Sequence, residues 1–200
     1  MPSRCRENFQ LSHVILPHHT LPVTGGQSET AHTCADDGSL HFSGEINTNG
    51  GGFCSIRAPI PDGLPPSTQA IRLSFVGDGK TYKLLLSDGT RSTFGPSKRS
   101  PSWQADIPTS AGGNVEEITV PLSDLLPSWG GSPMSQPSPE EKKQSGFKAE
   151  EMKEIGVMLS LKLSDGSPNP EATFGKGVFP FSLRISLIEP VLSSGDKETK

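Results

Sequence analysis

Apolar residues recur at every second position along much of this chain. Leu40, Phe42 and Ile46 share one face of an extended run, with His41, Ser43 and Glu45 on the other. Ile71, Leu73 and Phe75 alternate with Arg72 and Ser74, and Tyr82, Leu84 and Leu86 alternate a few residues later. Between those runs lies Gly77-Asp78-Gly79-Lys80, so the pair predicts a β-hairpin. Phe53 to Ala58 forms a further extended stretch. Trp103/Ala105/Ile107 and Ile118/Val120/Leu122 are two more, with Pro121 placing the latter near a sheet edge or strand end. Val157, Leu159, Leu161 and Leu163 predict a strongly apolar strand. Phe179, Phe181, Leu183, Ile185 and Leu187 make the longest alternation in the chain. A period of two is the mark of a strand buried on one face.

The interruptions are as informative. Asn47 to Gly52 reads as a turn, because Asn and Gly supply the positive φ that tight reversals need. Residues 1–39 read as irregular, Arg91 to Pro101 as a polar loop, and Pro127 to Ser145 and Ser164 to Gly177 as long loops. One segment has helical spacing: Phe147 to Ile155, with Phe147, Met152 and Ile155 on one face, Ser145 as N-cap and Gly156 as stop. Ser193 to Lys200 reads as a disordered tail. The sum is about eight strands of ordinary length. No strand–helix–strand alternation appears, so a parallel sheet is not expected. The expected fold is all-β: an antiparallel β-sandwich or jelly roll with one short helix and long Pro/Gly/Ser loops. The expected organisation is an irregular segment 1–22, one domain over 23–191 and a tail 192–200.

Composition narrows the functions. The chain has 200 residues, of which 22 are Gly and 19 Pro, a loop-rich balance short of that of disordered chains. The net charge of −4, without a basic cluster, argues against nucleic acid. The three cysteines, Cys5, Cys34 and Cys54, form no C-x-x-C pair, suggest neither a zinc site nor a thioredoxin motif, and read as free thiols. No apolar run is long enough to cross a membrane. The first twenty residues carry Arg4 and Arg6 but also Glu7 and resemble a presequence only weakly.

Several phrases resemble a known family. They are Phe42-Ser43-Gly44-Glu45, Gly51-Gly52-Phe53-Cys54-Ser55-Ile56-Arg57 and Gly77-Asp78-Gly79-Lys80-Thr81-Tyr82-Lys83-Leu84. In the same order come Val23–Ser28, Trp103-Gln104-Ala105, Val120–Pro127, Ile155–Leu159 and Phe181–Ile185. Together they resemble the intermediate-associated proteins of mitochondrial complex I assembly, over about residues 23–191. Two places depart from the family pattern: Leu16 to Pro22 lacks the usual aromatic strand and acidic residue, and Trp129-Gly130-Gly131 stands where an Arg is usual. The resemblance implies a galactose-binding-like jelly roll acting as an assembly factor or chaperone for the respiratory NADH dehydrogenase. It also implies protein partners and a mitochondrial location, with a plastid factor for photosystem assembly or a carbohydrate-binding module as alternatives.

No catalytic group can be nominated. No Ser lies in a nucleophile-elbow motif. Glu116-Glu117 and Glu150-Glu151 are sequence neighbours and do not face each other on either a strand or a helix. His18 and His19 lack the convergent ligands a metal needs. Neither a cofactor nor a metal is expected. The candidate partner-binding residues are Gly51, Gly52, Phe53, Arg57, Gly77, Asp78, Gly79, Tyr82 and Trp129. The glycines let a backbone approach a partner closely, though tight turns demand them anyway. Arg57 can bind a carboxylate in bidentate fashion, or it pairs within the protein with Asp78 or Glu45. Asp78 can serve a partner or its own turn backbone. Trp103, Trp129 and Tyr82 are the aromatics available to stack on a sugar, and Trp129 lies in a loop segment where a large ring suggests a contact surface.

Overall fold

The computed structural model describes residues 23–25, 27–49, 52–89, 101–129, 132–133 and 147–193, with backbone alone at 23–25, 129 and 132–133. The readings placed on residues 1–22, 91–100, 134–146 and 194–200, on Cys5, and on Gly51, Gly130 and Gly131 lie outside these residues. Among the described residues, twelve strands make up two antiparallel sheets. In chain order they are β1 (Val23–Gly25), β2 (Glu29–Cys34), β3 (Leu40–Asn47), β4 (Phe53–Pro59), β5 (Thr68–Val76) and β6 (Thr81–Ser87). Then come β7 (Ser102–Pro108), β8 (Glu116–Pro121), β9 (Leu126–Trp129), β10 (Ser132–Pro133), β11 (Glu154–Ser160) and β12 (Val178–Leu192). The larger sheet runs β1-β4-β11-β6-β7-β9-β10 and the smaller β2-β3-β12-β5-β8.

The core lies between the sheets and is built from the alternating positions. Phe42, Ile46, Ile71, Leu73, Tyr82, Leu84, Leu86, Ile107, Leu159, Leu183 and Ile185 are all essentially inaccessible. Phe42, Tyr82 and Phe181 meet edge-to-face, with centroids 4.9 Å apart for Phe42–Phe181 and 6.5 Å for the other two pairs. This geometry suits ring quadrupoles and adds roughly 0.5–1.5 kcal/mol per pair beyond the burial itself.

The structure corrects several expectations. The runs around Gly77–Lys80 do not form a hairpin: β5 lies in the smaller sheet and β6 in the larger. The connection is an arch that sets Ile71, Leu73 and Phe75 across the core from Tyr82, Leu84 and Leu86. Alternation reports a buried face and is blind to which neighbour supplies the other side. The Asn47–Gly52 connection likewise crosses from β3 in one sheet to β4 in the other.

The segment 147–155 is not a helix. It makes one 3₁₀ turn, Ala149–Glu151, and Ile155 already belongs to β11, paired with both Ala58 and Leu86. Sheet hydrogen bonds on both sides outweigh the helical spacing. The helical turn instead spans Glu171–Phe174, within the expected second loop, and buries Phe174 against Phe179 at 5.0 Å. Leu161 and Leu163 fall beyond the end of β11, and Leu161 is 40% exposed. A β-bulge between Ile185 and Leu187 shifts the inward phase of β12, so Ile188 enters the core and Leu187 only borders it. Residues 1–39 contain β1 and β2, and the expected loop from Pro127 contains most of β9 and all of β10. Pro121 does lie on an edge strand, β8.

Candidate partner-binding surface

Both glycine-rich arches gather at one end of the sandwich. Phe53 opens β4 opposite Ser160, the last residue of β11, and β6 begins at Thr81 beside that same end. The Asn169 side-chain amide ties the two together, donating to the Thr81 carbonyl at 3.0 Å and the Ser160 carbonyl at 3.1 Å. Gly52, Phe53, Gly77, Asp78 and Gly79 therefore share a rim.

Gly52 needs to be glycine. Its φ is +127°, and a Cβ there would lie 2.7 Å from Leu161 Cδ1. Its carbonyl accepts the Leu161 N–H at 3.2 Å. Gly77 is pressed against Thr109, whose Cβ would lie 2.2 Å from an added methyl. Thr109 Oγ1 in turn donates to the Lys80 carbonyl at 2.8 Å and accepts the Gly79 N–H at 3.1 Å. Gly79 itself has φ +87°. The turn chemistry is thus fully used within the fold.

Asp78 serves its own turn, as the sequence suggests, and does more. Oδ1 accepts the Lys80 N–H at 3.3 Å, and Oδ2 lies 3.5 Å from Lys80 Nζ. Oδ2 also accepts the Ser182 N–H of β12 at 2.9 Å. The β5–β12 ladder ends at Val76–Arg184, so the carboxylate takes over the next rung where the strand has turned away. Lys80 Nζ also lies 5.7 Å from the centre of the Phe179 ring.

The remaining candidates lie elsewhere. Arg57 is on the outer face of the larger sheet, 3.7 Å from Glu154, and neither Asp78 nor Glu45 is its partner. Gly156 stands opposite Arg57, so Glu154 is its diagonal same-face neighbour. Glu154 also accepts the Ser87 hydroxyl at 3.1 Å. Tyr82 belongs to the interior. Its hydroxyl is buried beside Asp78 and Ser182, and burial drives its pKa upward. Trp103, too, is interior, edge-to-face with Phe147 at 5.1 Å. Trp129 ends strand β9 opposite Ser132, at the opposite end of the sandwich from the arches.

One cluster escaped the sequence reading. The stretch 161–170 folds over the outer face of the larger sheet. There Ser164 donates from its N–H and hydroxyl to Asp106, at 2.9 and 2.8 Å, and accepts from Gln104 Nε2 at 3.1 Å. Lys83, cross-strand from Asp106, is 1% exposed, and its ammonium has no hydrogen-bond partner. Burial lowers its pKa to about 8, against the opposing pull of Asp106 and Asp165. In sequence, Lys83 and Gln104 sit at the polar positions of alternating strands and look solvated. Only the later loop, far along the chain, hides them.

Among the described residues no group of three His, Cys, Asp or Glu side chains converges as a metal site would require. No described helix is long and apolar enough to cross a membrane. Between the sheets, a gap lined by Ile56, Ala58, Val157 and Ile185 has a volume of only about 10 Å³. The arrangement presents braced arches, outer sheet faces and strand edges, all of them surfaces for contact.

The fold has solved counterparts. A family 11 carbohydrate-binding module from Clostridium thermocellum, in complex with a β-1,3-1,4-mixed-linked tetrasaccharide, superposes with TM-score 0.57 at 12% identity, covering 88% of this chain and 91% of the module. The family 11 module of the cellulosomal cellulase Lic26A-Cel5E of Clostridium thermocellum gives TM-score 0.53 at 12% identity, with the same coverage of 88% and 91%. At such identities the likeness is one of fold, a galactose-binding-like β-sandwich. No curated protein sequence matches the chain. A family model described as Complex I intermediate-associated protein 30 (CIA30) matches residues 22–185, nearly the whole of the described sandwich, and the chain belongs to that family.

Proposed function

We propose that this protein is a non-enzymatic assembly factor of the mitochondrial respiratory chain, holding a subunit or intermediate of complex I until its proper neighbour arrives. The observation that carries this reading is the family match over residues 22–185. The architecture suits transient capture. Gly52 against Leu161, Gly77 against Thr109 and Asp78 against Ser182 brace the arches from within, so contact residues stand on a rigid base. Arg57 keeps an exposed fraction beside Glu154, in a pair weak enough to exchange for a partner's carboxylate. Tyr82 and Trp103 lie in the core, which removes two of the three aromatics available for stacking on a sugar.

The test is genetic and biochemical together. Cells lacking the protein are expected to accumulate partly built complex I on native gels, and re-expression is expected to restore the mature complex. A tagged copy is expected to co-purify with complex I subunits from detergent-solubilised mitochondria. Normal complex I in the deletion strain, with no subunit recovered, would overturn the reading.

A further inference from the structure

Among the described residues the four sheet edges are unequal. In the larger sheet they are β1, three residues long, and β10, two residues long, both too short to template another strand. In the smaller sheet β8 carries Glu116 and Glu117 along its edge and ends at Pro121. These are the usual protections against unwanted pairing. β2 has only one of them, the charge of Glu29 at its first residue. It is six residues long, contains no Lys or Pro, and pairs with β3 without a bulge from Glu29–Glu45 to Cys34–Leu40. Its other side meets no strand among the described residues.

The direction of its backbone groups follows from the ladder. The Ala35 N–H donates to the Ser39 carbonyl at 2.9 Å, one step past the end of the strand, so alternate residues back along β2 face β3. Ala31 and Thr33 thus point their N–H and C=O inward, and Thr30 and His32 point theirs outward. Beside them Glu29 and Glu45 stand directly opposite each other, both exposed, with no cation paired to either among the described residues. Like charges in that position repel.

We propose that β2 is a strand-addition site: an extended segment of a partner protein pairs with the outward backbone of Thr30 and His32 and sets a Lys or Arg against Glu29 and Glu45. A second copy of this strand is a poor occupant, because Glu29-Thr30-Ala31-His32-Thr33-Cys34 brings no Lys or Arg of its own. Resting on the assembly-factor reading, this gives the capture a physical form. An unassembled subunit exposes unpaired strand, and main-chain pairing accepts such a segment largely regardless of its sequence.

The experiment uses the full-length chain and short β-prone peptides in which Thr and Val alternate with Lys, with Glu-bearing counterparts as control. Binding is read by calorimetry and by amide exchange. The Lys peptides are expected to bind and to protect the Thr30 and His32 amides. His32→Pro removes one outward N–H while sparing the β2–β3 ladder, and is expected to weaken binding roughly tenfold. His32→Ala keeps the N–H and is expected to bind like the parent. Glu29→Lys with Glu45→Lys is expected to reverse the preference toward the Glu peptides. Equal binding by His32→Pro and His32→Ala overturns the proposal, as do failure of every peptide to bind and protection that grows with protein concentration alone, which would mean self-pairing. Complementation separates the two readings. If His32→Pro restores complex I as well as the parent does, strand addition falls while the assembly role stands. If deletion never affects complex I, the assembly role falls whatever the peptides do.

Discussion

Lys83 shows how a single position can work against the fold that holds it. Its four-carbon stem is welcome beneath the 161–170 stretch, but the residue is 1% exposed, its ammonium has no hydrogen-bond partner, and burial lowers its pKa to about 8. An unfolded lysine titrates near ~10.4. Between about pH 8 and pH 10.4 the unfolded chain therefore binds more protons than the folded one, and the contribution of Lys83 to stability rises with pH across that window. Below about pH 8 both states hold the proton and the full penalty of burying it applies. The groups facing it are Asp106 from β7, and Asp165 and Lys162 from the covering stretch. Lys83→Met keeps the stem and drops the charge, and is expected to stabilise the protein by roughly 1–3 kcal/mol at pH 7. The gain is expected to shrink as pH climbs from 8 towards 10. Urea unfolding of both proteins at several pH values measures this, and a gain that stays constant with pH would show that the ammonium is satisfied in solution. Sequence alone marks Lys83 as a solvated outward position, because its cover comes from a loop almost eighty residues downstream.

At the scale of elements, the alternating runs that became β3, β5, β6, β7 and β12 were legible because one buried face imposes period two whatever the partner. The pairing of those runs was not. The turn signal Gly77–Lys80 is the same for a hairpin and for an arch between sheets; the difference lies in which strands arrive from elsewhere. β2 was illegible for the opposite reason. As an edge strand with little buried on either face, Glu29–Cys34 has no apolar rhythm to read. The 3₁₀ turn at Ala149–Glu151 misled because helical spacing there runs into a strand whose hydrogen bonds come from both neighbours. Of the candidate site, the glycines and Asp78 were recognisable as turn residues, but the link from Asp78 to Ser182 spans 104 positions and leaves no local trace. That link carries a prediction. Asp78→Ala leaves the Ser182 N–H without its acceptor at the end of the β5–β12 ladder, costing about 1–2 kcal/mol. Asp78→Asn retains an acceptor oxygen and is expected to cost less. Amide exchange at Ser182 is expected to quicken in the alanine variant and to change little in the asparagine variant; identical exchange in the two would remove the carboxylate's role as a rung.

For the whole molecule, what matters is the order in which the chain visits the two sheets. It crosses between them after β1, β3, β4, β5, β7, β8 and β11, so neither layer is a continuous piece of sequence. Each sheet also depends on a late strand. β11 lies between β4 and β6, and β12 between β3 and β5, so β4 cannot be joined to β6, nor β3 to β5, until the C-terminal third is present. Such long-range pairing slows folding and makes unfolding all-or-none, since no layer has an independent core to retain. Cys54 offers a probe of this. It lies on the inward face of β4 with no exposed surface, its thiol is 3.5 Å from the Glu29 carbonyl of the facing sheet, and burial pushes its pKa up to about 11. At pH 8 it is therefore protonated as well as hidden, and a thiol reagent has no thiolate to attack. Cys34, near the end of β2, is exposed. Under native conditions mass spectrometry is expected to find the label at Cys34 and none at Cys54. As urea is added, labelling of Cys54 is expected to rise at the same midpoint as the loss of circular dichroism. A Cys54 that labels before the sheet signal falls would mean that the layers part without unfolding, and that the crossings do not bind the two sheets into one cooperative unit.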